Sequence, residues 1–193
     1  MFSAASDPGR KQLLLFALHV VMLLVAFALP WPWLPDVYVT AFDATANLAA
    51  VPINAATPVH LRFIPPREIV AKGSWKGELD VSHTTTGEHV RTHLDVRGFS
   101  YRPLATYIAL ALALPSLGRR RSRALAVLVG GGVLTVIVGF VLAALPVLSR
   151  LGRSGAFGFE TRRIVAMAYE ALATPEMVYA IPLILFWFVV RGL

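Results

Sequence analysis

The chain has 193 residues, of which 56% are hydrophobic and only 15% charged, and its formal net charge is +7. Soluble domains usually carry roughly 25% charged residues, and the shortfall here lies in a few long apolar runs of the kind that cross a bilayer. The absence of cysteine excludes disulfides, thiolate nucleophiles and Cys-ligated metals.

Residues 1–12 are a short polar N-terminus, with Arg10 and Lys11 against the first apolar run. Residues 13–29 are apolar apart from His19 and lead into Pro30-Trp31-Pro32-Trp33-Leu34-Pro35. Trp favours the headgroup zone, where its ring is buried and its N–H finds a partner, and proline stops the helix. Residues 13–35 therefore read as a first transmembrane helix closed by an interfacial Trp-Pro belt. A cleavable signal peptide is disfavoured, because no Ala-x-Ala-like site follows the run.

Residues 36–102 form an extracytoplasmic insert. Its first part, residues 37–53, mixes apolar residues with Asp43 and Asn47 and reads as an amphipathic helix lying on the membrane surface. From Pro58 the pattern changes to period two. Residues 60–64 read as a strand ended by Pro65-Pro66. Residues 75–81 set Leu79 and Val81 opposite Glu78 and Asp80. Residues 90–97 set Val90, Thr92, Leu94 and Val96 opposite Arg91, His93, Asp95 and Arg97. With the Thr-rich loop 82–89 between them, the last two read as a β-hairpin with one wet face. Three short strands need the membrane helices or a partner to cover their apolar side.

Residues 103–118 hold a short second transmembrane helix, with its apolar run at 104–117. Residues 119–123 are a basic turn, Arg119-Arg120-Arg121-Ser122-Arg123, which makes the second and third spans a helical hairpin. The third span, residues 124–148, carries Gly131 and Gly139 on one face, a pattern for close helix approach rather than a pore or hinge. Residues 149–174 are a second polar connection, with an amphipathic helix at 161–172 presenting Ile164, Met167, Ala168 and Ala171 on one side. Thr174-Pro175-Glu176 then opens a fourth span, residues 175–193, whose apolar run 177–190 ends at Arg191.

Orientation follows from charge. Arg10, Lys11, Arg119, Arg120, Arg121, Arg123 and Arg191 face one acid, Asp7, on the side of the two ends and the basic turn, and this side holds nearly all of the net charge. Basic short segments stay cytoplasmic, so both ends are predicted inside and both polar connections outside. The charge is then a topology signal, and no nucleic-acid partner is expected.

The insert's His83, His89 and His93 invite a metal, but residues four apart on a strand lie about 13 Å from one another. They read as solvated hairpin histidines, and no metal or cofactor is expected. His19 reads as a neutral imidazole bonded to a neighbouring helix. Arg150, Arg153, Arg162 and Arg163 cluster around Gly152, Gly155 and Gly158, a pattern suited to an anion or to lipid headgroups. No catalytic residue is assigned: there is no GxSxG elbow and no HExxH motif, and the last three spans lack the interior charges of ion-coupled transporters.

The Trp-Pro-ended first span, the outward β-rich insert, the Ser100-Tyr101-Arg102-Pro103-Leu104 string, the arginine turn and the final span with Ile181-Pro182-Leu183 together resemble the exosortase H-associated membrane protein family. Exosortases are transpeptidase-like membrane enzymes that use a Cys with arginines on C-terminal sorting signals, so a Cys-free chain is not itself one. The resemblance implies an accessory part in such a system, with no catalytic residues to carry over. The expected protein is therefore an α-helical integral membrane protein of the bacterial inner membrane. It has four transmembrane helices and a small β-rich extracytoplasmic insert between the first two. Its expected partners are membrane lipids and another integral membrane protein, an exosortase, met through Arg91, His93, Asp95 and Arg97. The alternative is an enzyme or binder that acts on an anionic lipid or peptide through the four outward arginines.

Overall fold

A computed structural model describes residues 8–29, 31, 33–65, 74–114, 121–153, 155, 157–172 and 174–191. Pro30 and Pro32 of the belt, Pro66, the tail of the second expected span from Pro115, and Arg119 and Arg120 of the basic turn lie outside the described residues. The chain is mostly helical with one small sheet. In order it forms α1 (Pro8–Ala28), α2 (Leu34–Ala56), β1 (Val59–Ile64), β2 (Lys76–His83), β3 (His89–Asp95), a π-helical turn (Arg97–Tyr101), α3 (Arg102–Leu112), α4 (Arg121–Arg153), α5 (Phe159–Leu172) and α6 (Pro175–Arg191).

Two helices are long and apolar enough to cross a bilayer, α1 over Gly9–Ala28 and α4 over Ala124–Arg153. α6 contributes a shorter apolar stretch, Tyr179–Phe188. α3 has 11 residues and stops earlier than the expected second span. Leu114 precedes Pro115, and a residue before proline is pushed out of the α region. α1 leans on α3 and sets Phe16 against Phe186 of α6, with ring centroids 6.4 Å apart. His19 Nδ1–H donates to the Leu15 carbonyl at 2.7 Å, within its own helix and not across to a neighbour as expected. At the far end of α1, Trp31 Nε1 donates to the Ala26 carbonyl and its ring meets Trp33.

The strands form an antiparallel meander in the order β1-β2-β3. Alternation divides it as the sequence predicts: Val59, Leu61, Phe63, Leu79, Val81, Leu94 and Val96 are buried on one face. β3 ends at Asp95 rather than Arg97, because the chain turns into the π-helical segment there.

α2 departs from its predicted place. Pro35 and Asp36 suit its first turn, and Val39, Phe42, Ala46 and Ala50 form a buried stripe at helical spacing. That stripe lies on the sheet and not on a membrane surface: Phe42 meets Phe63 of β1 edge-on at 4.9 Å and Phe140 of α4 at 6.2 Å. An amphipathic period specifies an apolar partner without saying which one.

α4 runs as one helix of 33 residues, about 50 Å at 1.5 Å per residue. It passes through the expected boundary at Leu148 and carries Arg150 and Arg153 in its last turn. Its N-terminal part exposes Leu125, Val129 and Val133, while Val136, Phe140, Ala143, Ala144, Val147 and Leu151 join the core beneath the sheet. The two glycines serve close approach, as their shared face predicts. The Tyr107 side chain of α3 occupies the space a Gly131 Cβ would need, and its hydroxyl donates to the Val127 carbonyl at 2.8 Å. The Phe99 carbonyl, in the π-helical turn, occupies the space a Gly139 Cβ would need.

Because the obstacle at Gly139 is backbone, Gly139→Ala should destabilise the protein by about 1–3 kcal/mol through overpacking. Gly130 has nothing within 4 Å of an added Cβ, so Gly130→Ala should be neutral or slightly stabilising. Thermal unfolding of both variants in detergent checks the contrast.

Candidate functional site

The sheet offers one sealed edge and, among the described residues, one open edge. Along β1, two asparagines of α2 stand in for a neighbouring strand. Asn54 Nδ2 donates to the Leu61 carbonyl at 3.0 Å, and its Oδ1 accepts from the Leu61 N–H at 2.7 Å. Asn47 repeats the pattern at Phe63, with bonds of 3.2 and 2.9 Å. A further bond from Asn47 Nδ2 to Asp43 Oδ1 holds that side chain in place.

β3 has no such seal among the described residues. The His83 N–H bonds the Glu88 carbonyl, and the Val96 N–H bonds the Trp75 carbonyl. In an antiparallel ladder the bonding residues alternate. Val90, Thr92 and Leu94 therefore turn their backbone groups to β2, whereas His89, Arg91, His93 and Asp95 turn theirs outward.

The side chains of those four residues lie on the wet face. Arg91 sits 3.6 Å from Glu78 and 3.7 Å from Asp80, while His89 pairs with Asp80 and His93 Nδ1 lies 4.0 Å from Glu78. Of the predicted contact residues, Arg91, His93 and Asp95 stand together there. Arg97 does not: its guanidinium lies over the Trp75 ring at 5.7 Å.

Trp75, Tyr38 and Tyr101 form one aromatic cluster, with centroids 4.7 to 5.8 Å apart. The Tyr38 hydroxyl bonds the buried Ser100 hydroxyl at 2.7 Å, and Tyr101 donates to the Phe27 carbonyl at 2.6 Å. Burial raises both phenols; the Ser100 bond opposes this at Tyr38, and the Arg97 charge opposes it at Tyr101. Both phenols therefore stay protonated, and Tyr101 donates. This joint between insert and helices was not legible in the sequence, because its members are scattered from Phe27 to Tyr101.

The histidines separate rather than gather. His83 is buried on the core face, and its Nδ1 accepts from the Thr86 N–H at 3.1 Å. This corrects the solvated reading for His83: its position continues the Leu79, Val81 alternation inward. His89 and His93 face the other way, and no group of three metal-ligating side chains occurs among the described residues.

The four arginines of the predicted cluster fall on two helices that pack together, α4 and α5. Arg150 and Arg153 are exposed on the last turn of α4, where cations complement the helix dipole. Arg162 and Arg163 are exposed on α5, and Arg162 lies alongside Gly152. The Gly155 amide already donates to the Gly152 carbonyl at 3.4 Å, so it does not line an anion cradle. No protein-family model, curated protein or solved structure matches this chain.

Asn54→Ala would strand the Leu61 N–H and carbonyl on an unsealed edge. The expected cost is about 1–3 kcal/mol, with increased self-association through β1. Unfolding and size-exclusion of the variant beside Asn54→Asp, which keeps the acceptor, check both effects.

Proposed function

We propose that the chain is a four-span protein of the bacterial inner membrane, with both ends inside, that serves as a non-enzymatic accessory subunit of a protein-sorting system. Its task on this reading is to hold an outward docking module at a defined height above the bilayer. The observation that carries the proposal is the asymmetry of the sheet: α2 closes the β1 edge, whereas β3 leaves its backbone groups free to accept an extended segment of a partner. The charged wet face beside that edge, from Glu78 and Asp80 to Arg91 and His93, would select the partner by charge. The resemblance noted above makes an exosortase the first partner to test.

Several features support the membrane placement. α1, α3, α4 and α6 contact one another as one bundle. Leu14, Leu18 and Val25 of α1, Val129 of α4, and Leu183 and Phe188 of α6 are exposed, as lipid-facing side chains would be. α6 has 17 residues, at the short end of the spanning range. α5 exposes Phe159, Ile164 and Met167 together with Arg162 and Arg163, which suits a helix lying in the interface with its arginines at the headgroups.

Two experiments test this reading. The chain has no cysteine, so single substitutions report topology cleanly. Thr85→Cys should react with a membrane-impermeant maleimide in intact cells, and Ser122→Cys should react only after lysis; the opposite pattern would reverse the orientation. For docking, His93→Pro removes an N–H that faces away from β2, so the fold should survive while co-purification with the partner is lost. Thr92→Pro removes a ladder bond and should lower stability itself. A photo-crosslinker at Arg91 in intact membranes should give a discrete adduct, and a chain that remains a lone monomer throughout would remove the accessory role.

A further inference from the structure

A groove of about 300 Å³ opens where the outer ends of α1 and α3 meet α6. Leu24 and Phe27 of α1 and the buried Ala105 of α3 give it an apolar wall. Arg97, Arg102 and Tyr179 supply its polar part, and Arg102 and Tyr179 are exposed. Its height on the bundle is set by the tryptophans: the Trp31 ring bonds back to Ala26, within a turn of Phe27.

Neither guanidinium meets a carboxylate among the described residues. Arg97 is held over Trp75, and Arg102 makes no ion pair. This differs from the sheet face, where Arg91 answers two acids. The groove is therefore the place in the described structure where two uncompensated cations border apolar surface at the level of an interfacial Trp belt. That combination suits one chemistry, a phosphate anion carrying a hydrocarbon chain. Guanidinium forks match phosphate oxygens, and basic pockets between membrane helices recognise anionic headgroups.

We propose that this groove binds one anionic phospholipid of the outer leaflet, its phosphate held by Arg97 and Arg102 and the start of an acyl chain lying along Leu24, Phe27 and Ala105. The site rests on reading α1, α3 and α6 as membrane spans, and it is independent of the sorting partner. Because Arg97 also stacks on Trp75, and Tyr101 ties α3 to α1, a lipid seated here would bear on the joint that sets the insert on the bundle.

Native mass spectrometry of the full chain, released from nanodiscs of equal phosphatidylglycerol and phosphatidylcholine, reads the site directly. The expected result is one retained phosphatidylglycerol per chain. Arg97→Gln with Arg102→Gln should lower that retention about tenfold or more, and the exposed Arg102→Gln alone should lower it in part. Arg97→Lys with Arg102→Lys keeps both charges without the forks and should retain part of the binding, while a lowered thermal unfolding temperature in the double Gln variant would assign its loss to structure and overturn the site. Arg150→Gln with Arg153→Gln should change nothing. Equal retention of the two lipids by the unaltered chain, or unchanged retention in the double Gln variant, would also overturn it. Displacement by inorganic phosphate would mark a soluble-anion site and defeat the lipid assignment. Alkaline extraction of the same membranes reports on the spans separately, so a failure of the membrane reading is distinguishable from a failure of the site.

Discussion

A three-stranded sheet with one apolar face cannot leave that face wet, and in this protein the cover comes from α2 together with α4, the helix that runs on into the helical bundle. Phe140 of α4 meets Phe42 of α2, which in turn meets Phe63 of β1. The C-terminal part of α4 thereby belongs to the core of the insert, while its N-terminal part exposes Leu125 and Val129. No flexible linker separates the two regions along α4. The sheet packs on a continuous helix, and the Phe99 carbonyl in the space of a Gly139 Cβ brings the return of the chain close against it.

From that constraint the rest of the sheet's surface follows. α2 must lie across the sheet to complete the core, and in that position Asn47 and Asn54 fall beside β1 and close its edge. β3 is then the edge left open among the described residues, and its wet-face neighbours are paired charges rather than apolar side chains. Charge on an exposed edge also discourages indiscriminate pairing between copies, so an open but charged edge favours a selected partner over aggregation. The joint of Tyr38, Trp75 and Tyr101 ties the insert to α1 through the Phe27 carbonyl.

The strands were legible because a half-buried strand advertises itself by alternation: Leu79 and Val81 against Glu78 and Asp80 needed no tertiary information. The helix at α2 was legible too, but its partner was not, since the same apolar stripe would serve a membrane surface or a sheet. His83 was misjudged because its surroundings in sequence, Thr-rich and polar, resemble a solvated loop, whereas its parity places it on the core face. Arg150, Arg153, Arg162 and Arg163 looked like one site by proximity in sequence; the extension of α4 through Arg153 put two of them on one helix end and two on another helix. Arg97 read as a contact on the sheet's wet face and Arg102 as part of the entry to the second span, because the groove they border is shared by residues from Leu24 to Tyr179.

The sequence by itself determined what depends on composition and period. It determined the apolar runs, the strand faces, the glycine face of α4 and the segregation of basic residues that predicts a topology. These are local properties, written within a turn or two of chain. Only the tertiary structure decided which apolar surface covers which: that α2 and α4 close the sheet, that β1 is sealed while β3 is open, and that two unpaired arginines meet an apolar groove beside the Trp belt. Those outcomes depend on contacts between residues far apart in the chain, and neither period nor composition carries information about them.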